Sequence, residues 1–93
     1  MVTIEYGSAV KKDLRKLEIS VLRVIEKIFL RLSNDPYLGE RLQGELSKYF
    51  AYHFKVKQTE YRIIYEFIGN EVVVYIIMIG SRENLYKNLK RRL

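Results

Sequence analysis

Residues 50–79 read FAYHFKVKQTEYRIIYEFIGNEVVVYIIMI, and the spacing of their apolar side chains decides the fold. Phe50, Tyr52, Phe54 and Val56 recur at every second position, with Ala51, His53, Lys55 and Lys57 between them. Successive side chains of a strand point to opposite faces, so this segment is a strand with one apolar face and one face bearing His53 and the lysines. Tyr61, Ile63, Tyr65 and Phe67 repeat the pattern against Arg62, Ile64, Glu66 and Ile68. Gly69-Asn70 is a tight-turn dipeptide, and Glu71 to Ile79 is apolar on both faces, as a strand in the interior of a sheet requires.

Upstream of this block the period becomes helical. Thr3 to Tyr6 alternates weakly and leads into Gly7-Ser8, a short first strand followed by a helix start with Ser8 in the N-cap position. Val10, Leu14 and Leu17 then recur at helical spacing among Lys11, Lys12, Asp13, Arg15 and Lys16. Ser20 can cap a second helix whose stripe is Leu22, Ile25, Ile28, Phe29 and Leu32, opposite Arg23, Glu26, Lys27 and Arg31. Ser33-Asn34-Asp35-Pro36, a run of turn formers closed by the only proline, ends it. A link this short packs the two helices antiparallel as a hairpin. Residues 37–48 hold Gly39 and Gly44 and no sustained period, which reads as a connecting loop; Gly80-Ser81 ends the last strand, and residues 83–93 form a short basic helix.

The order β-α-α-β-β-β-α defines an α+β fold: a twisted, mostly antiparallel four-stranded sheet with the helical hairpin on one face and a short C-terminal helix, one domain over residues 1–93. The helix-covered face is the one carrying Phe50, Tyr52 and Phe54 with Tyr61, Ile63, Tyr65 and Phe67. The face carrying His53 and Lys55 is then the open one.

Seventeen Lys+Arg against eleven Asp+Glu give a net charge of +6 and a pI near 9.6, which points to an anionic partner, with nucleic acid first and an acidic protein second. The excess is local. Residues 1–46 hold eight basic and seven acidic residues, and residues 47–93 hold nine and four. No cysteine and a single histidine leave no thiol nucleophile, no disulfide framework and no His- or Cys-rich metal set, so neither cofactor nor metal is expected. Met-Val-Thr-Ile-Glu-Tyr has no basic segment leading into an apolar one, and the run Val72 to Ile79 is far shorter than the roughly 18 residues of a membrane span. A cytosolic protein with no membrane partner is expected.

With Gln58-Thr59 at the hairpin tip, Lys57 pairs with Glu60, Lys55 with Arg62 and His53 with Ile64. Pairing about Gly69-Asn70 sets Ile68 against Glu71, Ile64 against Tyr75 and Arg62 against Ile77, with Arg82 just past the neighbouring strand. Like charges directly opposite are destabilising, so a Lys55/Arg62 pair on an interior strand is either two splayed surface residues or a pair placed for function. His53, Tyr86 and the terminal Lys87, Lys90, Arg91 and Arg92 carry two readings each. They are an incidental histidine or a catalytic one, a packed ring or a base-stacking ring, a solvated tail or phosphate contacts.

Five stretches together resemble the RelE/ParE toxin superfamily: Ala9-Val10-Lys11-Lys12-Asp13-Leu14-Arg15-Lys16-Leu17, Leu42-Gln43-Gly44-Glu45-Leu46, Glu60-Tyr61-Arg62-Ile63-Ile64-Tyr65, Val72 through Arg82, and Leu85-Tyr86. The resemblance covers nearly the whole chain, in order. It implies the toxin of a type II toxin-antitoxin pair, with a cognate antitoxin as partner. Members resembling RelE cut messenger RNA in the ribosomal decoding site; members resembling ParE inhibit DNA gyrase and perform no chemistry. The RelE-like pattern places basic residues on the middle strands, an Arg after the last strand and a Tyr near the C-terminus, matched here by Lys55, Arg62, Arg82 and Tyr86. The chain departs from that pattern with His53 where a second basic residue is common and Gln43 where Leu-basic-Gly is common. A plain RNA-binding module fits less well, because the strands lack the Gly-aromatic pattern of an RNA-recognition motif.

Under the RelE-like reading the enzyme is a metal-independent endoribonuclease acting on mRNA and the ribosome. Lys55 is the base, with its pKa lowered by Arg62 and with His53 assisting; Arg62 holds phosphate oxygens, Arg82 neutralises the leaving group, and Tyr86 stacks on or orients a base. Lys57, Lys87, Lys90 and Arg91 supply further RNA contacts.

Overall fold

The computed structural model describes residues 2–69, 73–83 and 85–93. Its elements are β1 (Thr3–Tyr6), α1 (Ser8–Arg15), α2 (Ile19–Asn34), β2 (Glu40–Arg41), a 3-10 turn (Gly44–Leu46), β3 (Tyr49–Val56), β4 (Thr59–Ile68), β5 (Val73–Ser81) and α3 (Leu85–Arg92). The sheet order is β1-β5-β4-β3-β2, with β1 parallel to β5 and every other pair antiparallel. The sheet therefore has five strands where the sequence pattern indicates four. The additional strand is the two-residue pair Glu40–Arg41 against Ala51 and Phe50, too short to show any period. The expected turn at Gly69-Asn70 and the strand start at Glu71 lie partly outside the described residues.

The expected apolar face is the main core. Phe50, Ile63 and Tyr65, with Val74, Ile76 and Ile79 of β5, pack against Val10 of α1 and against Val21, Ile25, Ile28 and Leu32 of α2; Tyr52, Phe54, Tyr61 and Phe67 sit at its margin. Burying an aliphatic side chain of this kind stabilises the fold by about 1.5–3 kcal/mol. Helix starts differ from expectation by a residue or two: Gly7 and Glu18 occupy the N-cap positions, neither Ser8 nor Ser20 caps, and Ser20 Oγ is buried without a hydrogen-bond partner among the described residues.

The second face is not simply open. Tyr49, Ala51, Ile64, Ile77 and Met78 are covered by Leu85 and Leu89 of α3, with Leu42 and Leu46 of the β2–β3 connection beside them. The end carrying His53 and Lys55 is left to solvent. α3 thus caps a second, smaller core and leaves a restricted basic patch next to it.

Tyr65 fastens the turn after α2 to the sheet. Its hydroxyl donates to the Pro36 carbonyl (2.8 Å) and accepts from the Gly39 N–H (2.9 Å), and burial pushes its pKa above the ordinary tyrosine value. A Cβ at Gly39 would stand 2.7 Å from that oxygen, so the close approach requires glycine. Tyr65→Phe leaves both backbone groups without the phenol and is expected to cost about 1–3 kcal/mol in urea unfolding, with m unchanged.

Candidate active site

β3 and β4 meet at a tip of Lys57-Gln58, because Val56 pairs with Thr59. Lys57 there has φ of 57°, a left-handed conformation that favours glycine, and because Lys-Gln stands where Gly, Asn or Asp would mark a turn, the sequence does not announce this tip. The register consequently differs by two residues from the one expected. Lys55 faces Glu60, and His53 faces Arg62. A shift of two keeps every side chain on its own face, so the basic face is as read, but the Lys55/Arg62 pair directly across the ladder is replaced by an ion-complementary one.

A second displacement arises between β4 and β5. Tyr65 pairs with Ile76 but Ile64 pairs with Met78, so Ile77 is an extra residue and the strand is bulged. Beyond the bulge Ile79 turns to the helix side, and Gly80, not Ile77, stands beside Arg62. With no side chain at Gly80, the Arg62 guanidinium stands 5.1 Å from the Tyr86 ring centroid on α3. This cation–π contact sets the guanidinium against the ring, an interaction worth about 0.5–1 kcal/mol.

Arg82 lies just past β5, where its backbone N–H bonds the Glu60 carbonyl at 2.9 Å and its Nη1 donates to Glu60 Oε2 at 2.8 Å. Arg82, followed by Lys55 and Arg62, holds the Glu60 carboxyl below the usual carboxylate range, so it stays ionised at neutral pH. His53 Nε2 approaches Glu40 Oε2 of β2 at 3.6 Å. A groove of about 320 Å³ is lined by His53, Phe54, Lys55, Glu60, Tyr61, Arg62 and Arg82. A neighbouring groove of about 430 Å³ shares Lys55, Glu60 and Arg82 with it.

The five residues proposed for chemistry thus form one neighbourhood: Lys55 and Arg82 about Glu60, His53 beside Arg62, and Tyr86 over Arg62. The four expected RNA-contact residues do not join it. Lys57 is at the hairpin tip, 3.7 Å from Glu18, and Lys87, Lys90 and Arg91 are exposed on α3 and line neither groove. Two residues of importance escaped the sequence reading. Glu60 is visible in the sequence only once the hairpin register is known. Asp13 carried a signal, since it lies three residues after Val10 and four before Leu17, on the apolar stripe of α1. It is buried there at 8% exposure and bonded to Arg92, which is therefore not part of a free tail.

The fold and site together define a small basic α+β domain with a cation-rich patch beside its terminal helix. The chain belongs to the family described as ParE-like toxin of type II bacterial toxin-antitoxin system, which it matches over residues 4–90. It is similar to the mRNA interferase toxin RelE of Escherichia coli, at 27% identity over 81 residues that span 86% of this chain and 82% of RelE. Its fold is similar to that of a double arginine-to-alanine mutant of the same toxin in the free state, with TM-score 0.78, 20% identity and coverage of 99% and 97% of the two chains. It is also similar to a chain of the RelBE2 toxin-antitoxin complex of Mycobacterium tuberculosis, with TM-score 0.72, 25% identity and coverage of 87% and 98%. Among the described residues no helix is long and apolar enough to cross a membrane.

Proposed function

We propose that this toxin is a metal-independent endoribonuclease that cuts messenger RNA in the ribosomal decoding site and is held inactive by a co-encoded antitoxin. The observation that carries the reading is the convergence of Lys55, Arg62 and Arg82 on one groove beside an exposed aromatic ring, Tyr86. Cleaving RNA through its own 2′-hydroxyl builds negative charge on the scissile phosphate, and fixed cations around that phosphate stabilise it without a metal. In this reading Arg62 holds the non-bridging oxygens, since a guanidinium fork matches phosphate geometry, and Arg82 neutralises charge on the leaving group. The Tyr86 ring is 37% exposed and remains able to stack on a nucleobase.

Similarity to a protein named as an mRNA interferase supports this reading, and similarity to a toxin-antitoxin complex supports the partner. An acidic or amphipathic antitoxin segment laid over the basic patch would close the groove to RNA. Action on ribosome-bound message implies a cytoplasmic site of action.

The deciding experiment adds purified protein to a translating extract and maps new 5′ ends on the message, with a gyrase supercoiling assay in parallel. Cuts spaced by codons are expected. Intact message with inhibited supercoiling would overturn the reading in favour of the ParE-like activity, in which the same patch docks on a topoisomerase.

A further inference from the structure

The phosphate-holding cations leave one charged group of the groove without a task. Glu60 is on the same face of β4 as Arg62, opposite Lys55 across the β3–β4 ladder, and it lines both grooves together with Lys55 and Arg82. Arg82 engages Oε2 at 2.8 Å and leaves Oε1 outside that bond. The side chains of Arg82 and Glu60 are 66% and 50% exposed, so a ribose can reach the carboxylate without any rearrangement of the sheet.

A base for the 2′-hydroxyl must be unprotonated at neutral pH. Lys55 stands opposite Glu60 and not opposite Arg62, so the cross-strand like-charge pair that recommended it as the base is not formed. An ammonium group has protons to give, and Glu60, facing it across the ladder and lining the same groove, is a carboxylate that can accept one. We propose that Glu60 takes the proton from the 2′-hydroxyl and that Lys55 delivers one to the departing 5′-oxygen, so that a cross-strand carboxylate–ammonium pair forms the general base and general acid. This assignment rests on the ribonuclease reading above and replaces Lys55 as the base.

The step balances without an added reactant. The 2′-O–H bond breaks as its proton passes to the Glu60 carboxylate, and the oxygen's electron pair forms a bond to phosphorus. The P–O5′ bond breaks, and its electron pair leaves on the 5′-oxygen, which takes a proton from the Lys55 ammonium. The products are a 2′,3′-cyclic phosphate and a 5′-hydroxyl, and the protein is left with a carboxylic acid facing an amine. Transfer of that proton from Glu60 to Lys55 restores both groups for the next turnover. Arg82 orients the carboxylate and Arg62 stays on the phosphate throughout.

The test is single-turnover cleavage of message on programmed ribosomes, with Glu60→Gln, which keeps the size of the side chain and removes the carboxylate, and Lys55→Arg, which keeps the positive charge on a group that does not give up its proton. Each is expected to lower the maximal rate by about 10²–10⁴-fold, the range of positioned acid–base groups, with the half-saturating toxin concentration within about threefold of the parent. A message carrying sulfur in place of the 5′-bridging oxygen at the cut site separates the roles. Its thiolate leaves without a proton, so Lys55→Arg should recover to within about tenfold of the parent on that substrate while Glu60→Gln stays slow. Circular dichroism and thermal midpoints of both variants should match the parent. A Glu60→Gln rate within about threefold of the parent would overturn the assignment while leaving the ribonuclease reading intact. So would a Glu60→Gln loss that disappears in an Arg82→Ala background, which would make Glu60 a positioning residue acting through Arg82. Parent protein that cuts no ribosome-bound message would remove the ribonuclease reading and this assignment together.

Discussion

Arg62→Ala is expected to reduce single-turnover cleavage of ribosome-bound message by about 10²–10³-fold, the usual loss when one preorganised donor to a developing oxyanion is removed. The loss should fall on the maximal rate, because charge accumulates on the phosphate in the transition state and the contact strengthens there. Arg62→Lys should recover only part of it. An ammonium keeps the charge but has neither the planar fork for two phosphate oxygens nor the flat face that lies over Tyr86 at 5.1 Å. Tyr86→Phe should consequently leave the rate close to the parent, whereas Tyr86→Ala releases the guanidinium plane and lowers it. Stability should hardly move in the Arg62 variants. The guanidinium contacts a ring at the edge of the second core and fills none of it, so thermal midpoints within a few degrees of the parent would show that the loss is chemical. An Arg62→Ala protein that unfolds early, with toxicity otherwise unchanged, would mark Arg62 as structural and favour the non-enzymatic alternative.

How much of this site could be read beforehand depended on where the sequence carries phase. The faces of β3 and β4 were legible because apolar and polar residues alternate there without interruption. A slip of two residues leaves that alternation unchanged, so the faces came out right and the partners wrong: His53, not Lys55, stands opposite Arg62. Neither Lys57 nor Gln58 announces a turn, and the left-handed Lys57 is tolerated because the flanking strands are held elsewhere. In β5 every residue from Val73 to Ile79 is apolar, so the pattern has no phase at all. A bulge at Ile77 could be inserted without exposing or burying anything of the wrong polarity, and it moved Gly80 beside Arg62. β2 is too short for any period, and α3 covers part of the second face through Leu85 and Leu89, two residues in a helix otherwise dominated by charge. Glu60 went unread for a related reason. A glutamate in a basic segment looks like charge balance until the register sets it among Lys55 and Arg82.

Asp13→Ala is expected to destabilise the protein by about 3–5 kcal/mol, the range for removing one partner of a buried ion pair. The pair sits where the sheet edge runs out. β1 ends at Tyr6, paired with Ile76, so the outer edge of β5 continues without a neighbouring strand. Its Ile79 N–H is taken by Asp13 Oδ2 at 3.1 Å, and its Ile77 carbonyl by Arg92 Nη1 at 3.1 Å. The two side chains then join each other through Nη1–Oδ2 at 2.6 Å and Nη2–Oδ1 at 3.0 Å, which holds the Arg92 guanidinium above its ordinary pKa. One carboxylate and one guanidinium therefore replace the missing strand and bind α1, β5 and the last turn of α3 into one unit. Removing Asp13 leaves the Arg92 guanidinium, on a side chain 26% exposed, and a backbone N–H without their acceptor. In a domain whose total stability is on the order of 5–15 kcal/mol this is a large fraction, and at about 4–8 °C per kcal/mol the thermal midpoint should fall by well over 10 °C. Asp13→Asn keeps an acceptor for Ile79 and should lie between the two. The same substitutions reach the site through α3: with its last turn unpinned, Tyr86 is no longer held over Arg62, so cleavage at a temperature where the variant is still folded should also slow. Exchange protection lost in α3 before the β3–β4 hairpin would identify that route, whereas uniform loss across the sheet would show that Asp13 supports the fold without any separate hold on Tyr86.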